Sequence, residues 1–491
     1  MHFDLLNIAL VVLLFGGLVA VVTRPVYAVY AYLVVLFFFP NVGWGVVDKT
    51  EVMNLYGRGT GLFFFSIINL YLYGLFVLSA YYWGRKNVGM AACNLQKYFY
   101  YFALLFGAQV IAGMALGAPL PDIFSHFGII NIVNMGMFTA ILIMAIDSPR
   151  EAQRLSTVIL YCATLRGIYG MLRYLFWGGD VANVYGNVQK IAIHLTFFDI
   201  NDSILACLAA FIAGWRYLDK AVPLRHKPFY GALVVLQILI VALSYRRTGW
   251  GGLVVAAALF CFLQPLRRRV ALIVGGAVAG GFALTMLVVQ RFSSLSAHRN
   301  RGVMDMLLYD VKPGVKAGRF AELFEAFKTV SEHIFLGVGS WAGYGPGHIQ
   351  FMHSGLIHVW LKAGLVGLVP FLLLYVSFGY FGLRRINSIP WSNRDLYGAG
   401  LAGILFTLPN LFMGTPIIEF RTMQMTALCL ALPYLVFGNF AGGGTVTARV
   451  TEAATVLGKP QSDFAFARQK LIDLEKRPAS VPAVAERAMH G

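Results

Sequence analysis

Repeated stretches of about 18 or more apolar residues, each long enough to cross ~30 Å of hydrocarbon, constrain this chain more than any motif does. Lipid offers backbone N–H and C=O groups no partner, so such runs must be α-helices or strands of a closed barrel. None has the ten-residue alternation of an outer-membrane barrel. With 58% apolar and 12% charged residues over 491 positions, the expectation is an all-α, polytopic transmembrane helical bundle. The first run, Leu5 to Val22, lacks a basic n-region and an Ala-x-Ala-like cleavage site, and reads as a retained helix.

Hydropathy places thirteen spans, near 5–22, 26–46, 61–83, 98–117, 127–146, 155–177, 193–215, 229–245, 249–264, 270–289, 353–382, 396–413 and 422–440. The organisation expected is an N-terminal membrane region over 1–289, a large loop over 290–352, C-terminal spans over 353–440 and a tail over 441–491. A net charge of +17 raises nucleic acid as a partner, but its distribution argues for a membrane instead. Alternate connections carry Arg24, Arg85/Lys86/Lys97, Arg150/Arg154, Arg216/Lys220/Arg225/Lys227, Arg267–Arg269 and Arg384/Arg385/Arg394. The intervening short connections carry few cations. The positive-inside rule assigns the first set and the tail to the cytoplasm, with anionic lipid as the partner of the excess charge. The tail is Gly-rich and then polar, with one amphipathic piece around Phe464–Leu474, a composition that suits solvated disorder or an assembly partner. Five cysteines, Cys93, Cys162, Cys207, Cys261 and Cys429, lie in or beside apolar spans without a Cys-x-x-Cys, and read as small packing residues.

This orientation puts the Arg246/Arg247 turn, the loop from Arg291 to Met352 and the helix start at His353 on one non-cytoplasmic face. Within the loop, Phe320 to Val330 places apolar residues 320, 323, 324, 327 and 330 on one helical face, with Arg319 at the start of a surface helix. Gly337 to Gly347 holds too much glycine for a helix and lacks the Lys-Ser/Thr of a phosphate loop. It reads as a turn that lets backbone approach a substrate, or as an ordinary connector. The positive end of a helix dipole at His353 favours the neutral imidazole, which suits a general base; a histidine that merely binds interfacial water is the plainer alternative.

Arginines inside apolar spans are costly. Each charge costs at least ~2.5 kcal/mol on insertion scales, so a cavity, a counter-ion or an anionic substrate should offset it. Arg166 and Arg173 lie seven residues apart on one helical face. For Arg173 the alternative to substrate contact is snorkelling to headgroups. For Arg166 it is an internal pair with Asp199 or Asp202 of Phe198-Asp-Ile-Asn-Asp-Ser203.

Five segments together resemble the O-antigen ligase and O-antigen polymerase superfamily of bacterial inner membranes. They are Leu243-Ser-Tyr-Arg-Arg247-Thr-Gly-Trp250, Arg291-Phe-Ser-Ser294, Gly318-Arg319, Glu332-His-Ile-Phe-Leu-Gly337-Val-Gly339 and His353-Ser-Gly-Leu-Ile-His-Val-Trp-Leu-Lys-Ala-Gly364-Leu-Val-Gly367. The resemblance covers roughly 229–385. Ser354 stands where asparagine is more usual, and Arg246 beside Arg247 leaves open which guanidinium takes the family role, Arg247 aligning better.

The resemblance implies a GT-C-like membrane glycosyltransferase without metal or cofactor, its active site facing the periplasm. Its partners would be an undecaprenyl-diphosphate-linked glycan donor and, as acceptor, either another lipid-linked repeat (polymerase, slightly favoured) or lipid A core (ligase). His353 would take the acceptor hydroxyl proton, and Arg247 and Arg319 would hold the diphosphate. Arg246, Arg291, Arg166 and Arg173 would contact diphosphate or glycan. A flippase for lipid-linked glycans is the competing class; it would show two related halves, and no internal repeat is present.

Overall fold

The computed structural model of the chain describes residues 12, 16–17, 24–38, 65–85, 94–177, 199–244, 246–276, 281, 285, 319–345, 348–350, 352–414 and 416–437. The side chains at 67, 85, 173, 174, 177, 247 and 319–321 fall outside that description, as do all of the expected tail and the loop before residue 319. The spans expected near 5–22 and 270–289 lie largely outside it too.

The described elements are helices: α1 (Pro25–Phe38), α2 (Ile67–Arg85), α3 (Gln96–Ala115), α4 (Ile130–Ala145), α5 (Pro149–Trp177), α6 (Ile200–Leu218), α7 (Lys227–Leu243), α8 (Arg247–Phe262), α9 (Arg319–Glu332), α10 (Gly355–Arg385), α11 (Arg394–Met413) and α12 (Phe420–Phe437). Among the described residues there is no strand, and one isolated antiparallel bridge joins Tyr344 to Ile349. Among the described residues six helices are long and apolar enough to cross a membrane, α3, α5, α7, α10, α11 and α12, and α1, α4 and α8 are shorter apolar helices. The chain is an all-α polytopic bundle, a multi-pass membrane protein.

At the bundle's centre, α6 packs against α7 and α11, and α11 against α8. Most residues of α6 and nearly all of α12 are buried, whereas α3 and α7 present Leu104, Ile111, Val235 and Leu239 outward, as helices facing acyl chains must. The helix ends are set by local chemistry. Asp199 caps α6 by accepting from the Asn201 and Asp202 N–H groups, while Asp202 accepts from the Asp199 N–H, a reciprocal box that satisfies orphan donors. Between α7 and α8 the Ser244 hydroxyl donates to the Val241 carbonyl at 2.7 Å, and the Trp250 indole donates to the Ala242 carbonyl at 3.1 Å. That bracing turns the chain sharply and starts α8 at Arg247.

The end of α11 is the reference point for the functional face. Gly251 of α8 lies against Pro409, and Gly355 of α10 lies against Leu411 and Pro416. The Arg246–Arg247 turn and the approach to α10 at His353 are therefore at the same end of the bundle. Free Cys162, Cys207 and Cys429 are buried in the core and Cys261 is half-buried, as small packing residues.

Candidate active site

The segment leading to α10 has a small apolar core of its own. Ala326 and Val330 of α9 are buried with Tyr344, Met352 and Leu361, and Leu323, Val338, Ile357 and Trp360 pack on them. The burying face of α9 runs through 323, 326 and 330. Phe324 and Phe327, expected on that face, are exposed, and Ala326 is buried there instead.

α10 is interrupted at Gly364, whose φ of 62° and ψ of −166° are non-helical. A break frees backbone groups that must find partners. Residues 333–338 supply them: the N–H groups of Leu365 and Val366 donate to the carbonyls of Ile334 (2.9 Å) and Phe335 (3.2 Å), and the Val338 N–H donates to the Leu361 carbonyl (2.8 Å). A Cβ on Gly364 would lie 2.0 Å from the Phe335 oxygen, and one on Gly337, at φ 67°, would lie 2.5 Å from the Leu361 oxygen. Of the glycine-rich stretch Gly337 to Gly347, Gly337 is the residue that lets this strap approach the broken helix. Two residues before the break, fully buried Lys362 points its ammonium at the Ala342 carbonyl and at Gln350 Oε1 (2.9 Å). Gln109 of α3 grips the same region by donating to the Lys362 carbonyl and accepting from the Ser340 hydroxyl. A buried lysine is tolerable only with such acceptors around it.

This scaffold holds His353 in a defined pose. Glu322, in the first turn of α9, accepts the His353 backbone N–H at 2.9 Å through Oε1 and meets ring Nδ1 at 2.8 Å through Oε2. The Tyr344 hydroxyl donates to Oε1 at 3.4 Å, and burial followed by the Glu322 charge pushes that phenol well above its ordinary value, so it remains a donor. With the carboxylate accepting at Nδ1, the neutral ring keeps its proton there and its lone pair at Nε2. The His353 side chain is 41% exposed, so a substrate can reach it. A carboxylate-oriented imidazole of this kind is the arrangement that general bases use.

The predicted arginines divide. Arg247 is the first residue of α8 and Arg319 the first of α9, placed by backbone alone. Arg173 lies in α5, likewise without a described side chain, and Arg291 lies outside the described residues. Arg246, extended and half-buried just before α8, stands near enough to Glu419 to act on its carboxyl, which burial pushes above the usual carboxylate range while Arg246 and Arg421 draw it back. Arg166 makes a two-pronged ion pair with Asp202, Nε to Oδ1 at 2.9 Å and Nη2 to Oδ2 at 3.1 Å. Arg421 joins the same buried cluster, binding Asp199 at 2.9 Å and the carbonyls of Leu36 and Phe37 at the end of α1.

Sequence reasoning passed over Glu322, Lys362 and Arg421. The acid in the first turn of a helix beside Arg319 was the available signal for Glu322. For the two buried cations, the signal was a charge inside or at the edge of an apolar run.

Residues 232–372 match the family model described as O-antigen ligase. The resemblance read from the motifs thus has independent support, over under a third of the 491 residues. The matched segment contains Arg246, Glu322, His353, Lys362 and the Gly364 break, and excludes Arg166, Asp202 and Arg421. It supports membrane glycan transfer of the O-antigen ligase and polymerase type. No curated protein matches the chain.

Proposed function

We propose that the chain is a membrane glycosyltransferase that moves glycan from an undecaprenyl-diphosphate-linked donor to a sugar hydroxyl, at the periplasmic face of the inner membrane. The observation that carries the reading is the Glu322–His353 pair, half-open to solvent at the bundle end that also bears the Arg246–Arg247 turn.

His353 Nε2 takes the proton of the attacking hydroxyl while Glu322 holds Nδ1–H and stabilises the imidazolium that forms. The oxygen bonds to the anomeric carbon as its bond to the diphosphate breaks, from the opposite face, so the configuration inverts. The charge that grows on the leaving diphosphate falls to the forked donors of Arg247 and Arg319, which can stabilise it without a metal ion. Arg246, Arg291 and Arg173 are the further groups for diphosphate or glycan. Arg166, bound on both prongs by Asp202, serves as bracing in this scheme rather than as a donor contact. Extension of a lipid-linked repeat, as in exopolysaccharide or O-antigen polymerisation, is the reaction favoured over transfer to lipid A core.

Purified protein reconstituted with a defined lipid-linked oligosaccharide tests this. Products should lengthen without core acceptor and the new linkage should be inverted. His353→Ala should lower transfer by ~10²–10⁴-fold while donor binding persists. Transfer only in the presence of core would make it a ligase, and lipid flipping untouched by His353→Ala would make it a flippase.

A further inference from the structure

The end of the bundle opposite His353 holds a crevice of about 820 Å³. One wall is a single stripe of α5, Arg150, Gln153, Arg154, Thr157, Val158 and Tyr161, at the three- and four-residue spacing of one helical face. The rest of the lining includes Trp215, Arg216 and Asp219 at the end of α6, Tyr230 of α7, Tyr27 and Tyr30 of α1, and Ser392 and Asp395 beside the start of α11. α5 and α7 touch at Gly167 and Ile240, and the crevice lies toward the start of both helices.

The crevice is graded along its length. At its mouth, Arg154 pairs with Glu151, and Arg216 binds Asp395 at 3.1 Å and the Ser156 hydroxyl. Exposed Arg150 has no ion-pair partner among the described residues. Eight to eleven residues beyond Arg150 along α5, a rise of ~12–16 Å, the lining has become Val158 and Tyr161. The same stripe continues beyond the crevice as exposed Leu165, Ile168 and Leu172. Polar and arginine-bearing at headgroup level, where Arg150 is the arginine without an ion-pair partner among the described residues, and apolar along a face open to acyl chains, the surface changes character over the distance that a lipid does. A soluble anion would use the mouth and leave the rest empty.

We propose that this crevice binds an anionic phospholipid of the leaflet at that face. Arg150 and Arg154 meet the phosphate, Tyr161 and Tyr230 flank the glycerol region, and a chain lies along Leu165 to Leu172 of α5. The site is independent of the transfer chemistry at the other end of the bundle, and either can fail without the other.

Native mass spectrometry of delipidated protein in detergent reads it directly, with phosphatidylglycerol as the probe and phosphatidylcholine and inorganic phosphate as comparisons. Phosphatidylglycerol should remain bound, with affinity lowered roughly tenfold or more in the Arg150→Gln/Arg154→Gln protein, the loss of one to two charge-assisted contacts. Thr157→Trp, which fills the crevice and leaves every charge in place, should also abolish retention, and Arg225→Gln, another exposed cation of that end, should not change it. Equal retention in all variants, equal binding of phosphatidylcholine, or displacement of the lipid by inorganic phosphate would each overturn the proposal.

Discussion

At the residue scale, His353 was legible because a histidine at the mouth of an apolar helix is unusual, whereas its orienting partner was not. Glu322 is 31 positions away, and only the folding of α9 onto α10 brings the carboxylate to Nδ1. The two oxygens of Glu322 meet the backbone N–H and ring Nδ1 of one residue, so an amide that accepts the backbone N–H turns its NH2 to Nδ1 and moves the ring proton to Nε2, the atom needed as the base. Glu322→Gln is therefore expected to lower kcat by about tenfold or more, within the 10²–10⁴ that a positioned base supplies, and to leave KM nearly unchanged. Steady-state kinetics on reconstituted protein separates the two. A rise in KM at constant kcat would assign Glu322 to substrate binding instead. Arg247 and Arg319 were singled out by charge at loop-to-helix junctions, and both do begin helices.

At the element scale, the helices followed from hydropathy, but the interruption of α10 did not. Gly364 sits in an apolar run that reads as continuous, and one glycine in such a run is ordinarily tolerated without a break. The break becomes intelligible only with the strap that enters it, whose carbonyls replace the lost helical partners of Leu365 and Val366. Within the glycine-rich stretch, whose sequence suits a close approach of backbone, Gly337 makes such an approach to α10. Gly364→Ala would force a side chain into a left-handed position and against the Phe335 oxygen. The strained residue alone costs about 1–3 kcal/mol, and relief requires the strap to leave, carrying α9 and Glu322 with it. The expected result is a lower unfolding temperature in detergent and loss of transfer, with Ala363→Gly, beside it in α10, much milder on both measures. Retained activity in Gly364→Ala would show that the strap does not hold the site.

At the scale of the whole molecule, membrane class and the common end of His353 and the Arg246 turn were readable from run length and alternating charge. In the cluster that ties the helices together at that end, the pairing of Arg166 with Asp199 or Asp202 was readable as an internal pair, whereas the part of Arg421 was not. Arg421 was counted as a cation of a short outer connection, yet it is 1% exposed and bridges α12 to the start of α6 and the end of α1. Nothing in hydropathy distinguishes a loop cation from one that folds back into the core. Asp202 is the common member, accepting from both prongs of Arg166 and lying 3.4 Å from Arg421, so its removal leaves two buried guanidinium groups under-compensated. Breaking a buried pair from one side costs about 3–5 kcal/mol, far more than the pair itself need contribute. Asp202→Ala should therefore sharply lower the detergent-solubilised unfolding midpoint, whereas Asp202→Leu combined with Arg166→Met, which removes both charges at similar volume, should recover much of the loss. A fall in transfer by Asp202→Ala that the double variant restores would mean that the cluster serves the site by holding helix ends. A fall that persists in the stable double variant would mean that Arg166 itself meets the substrate.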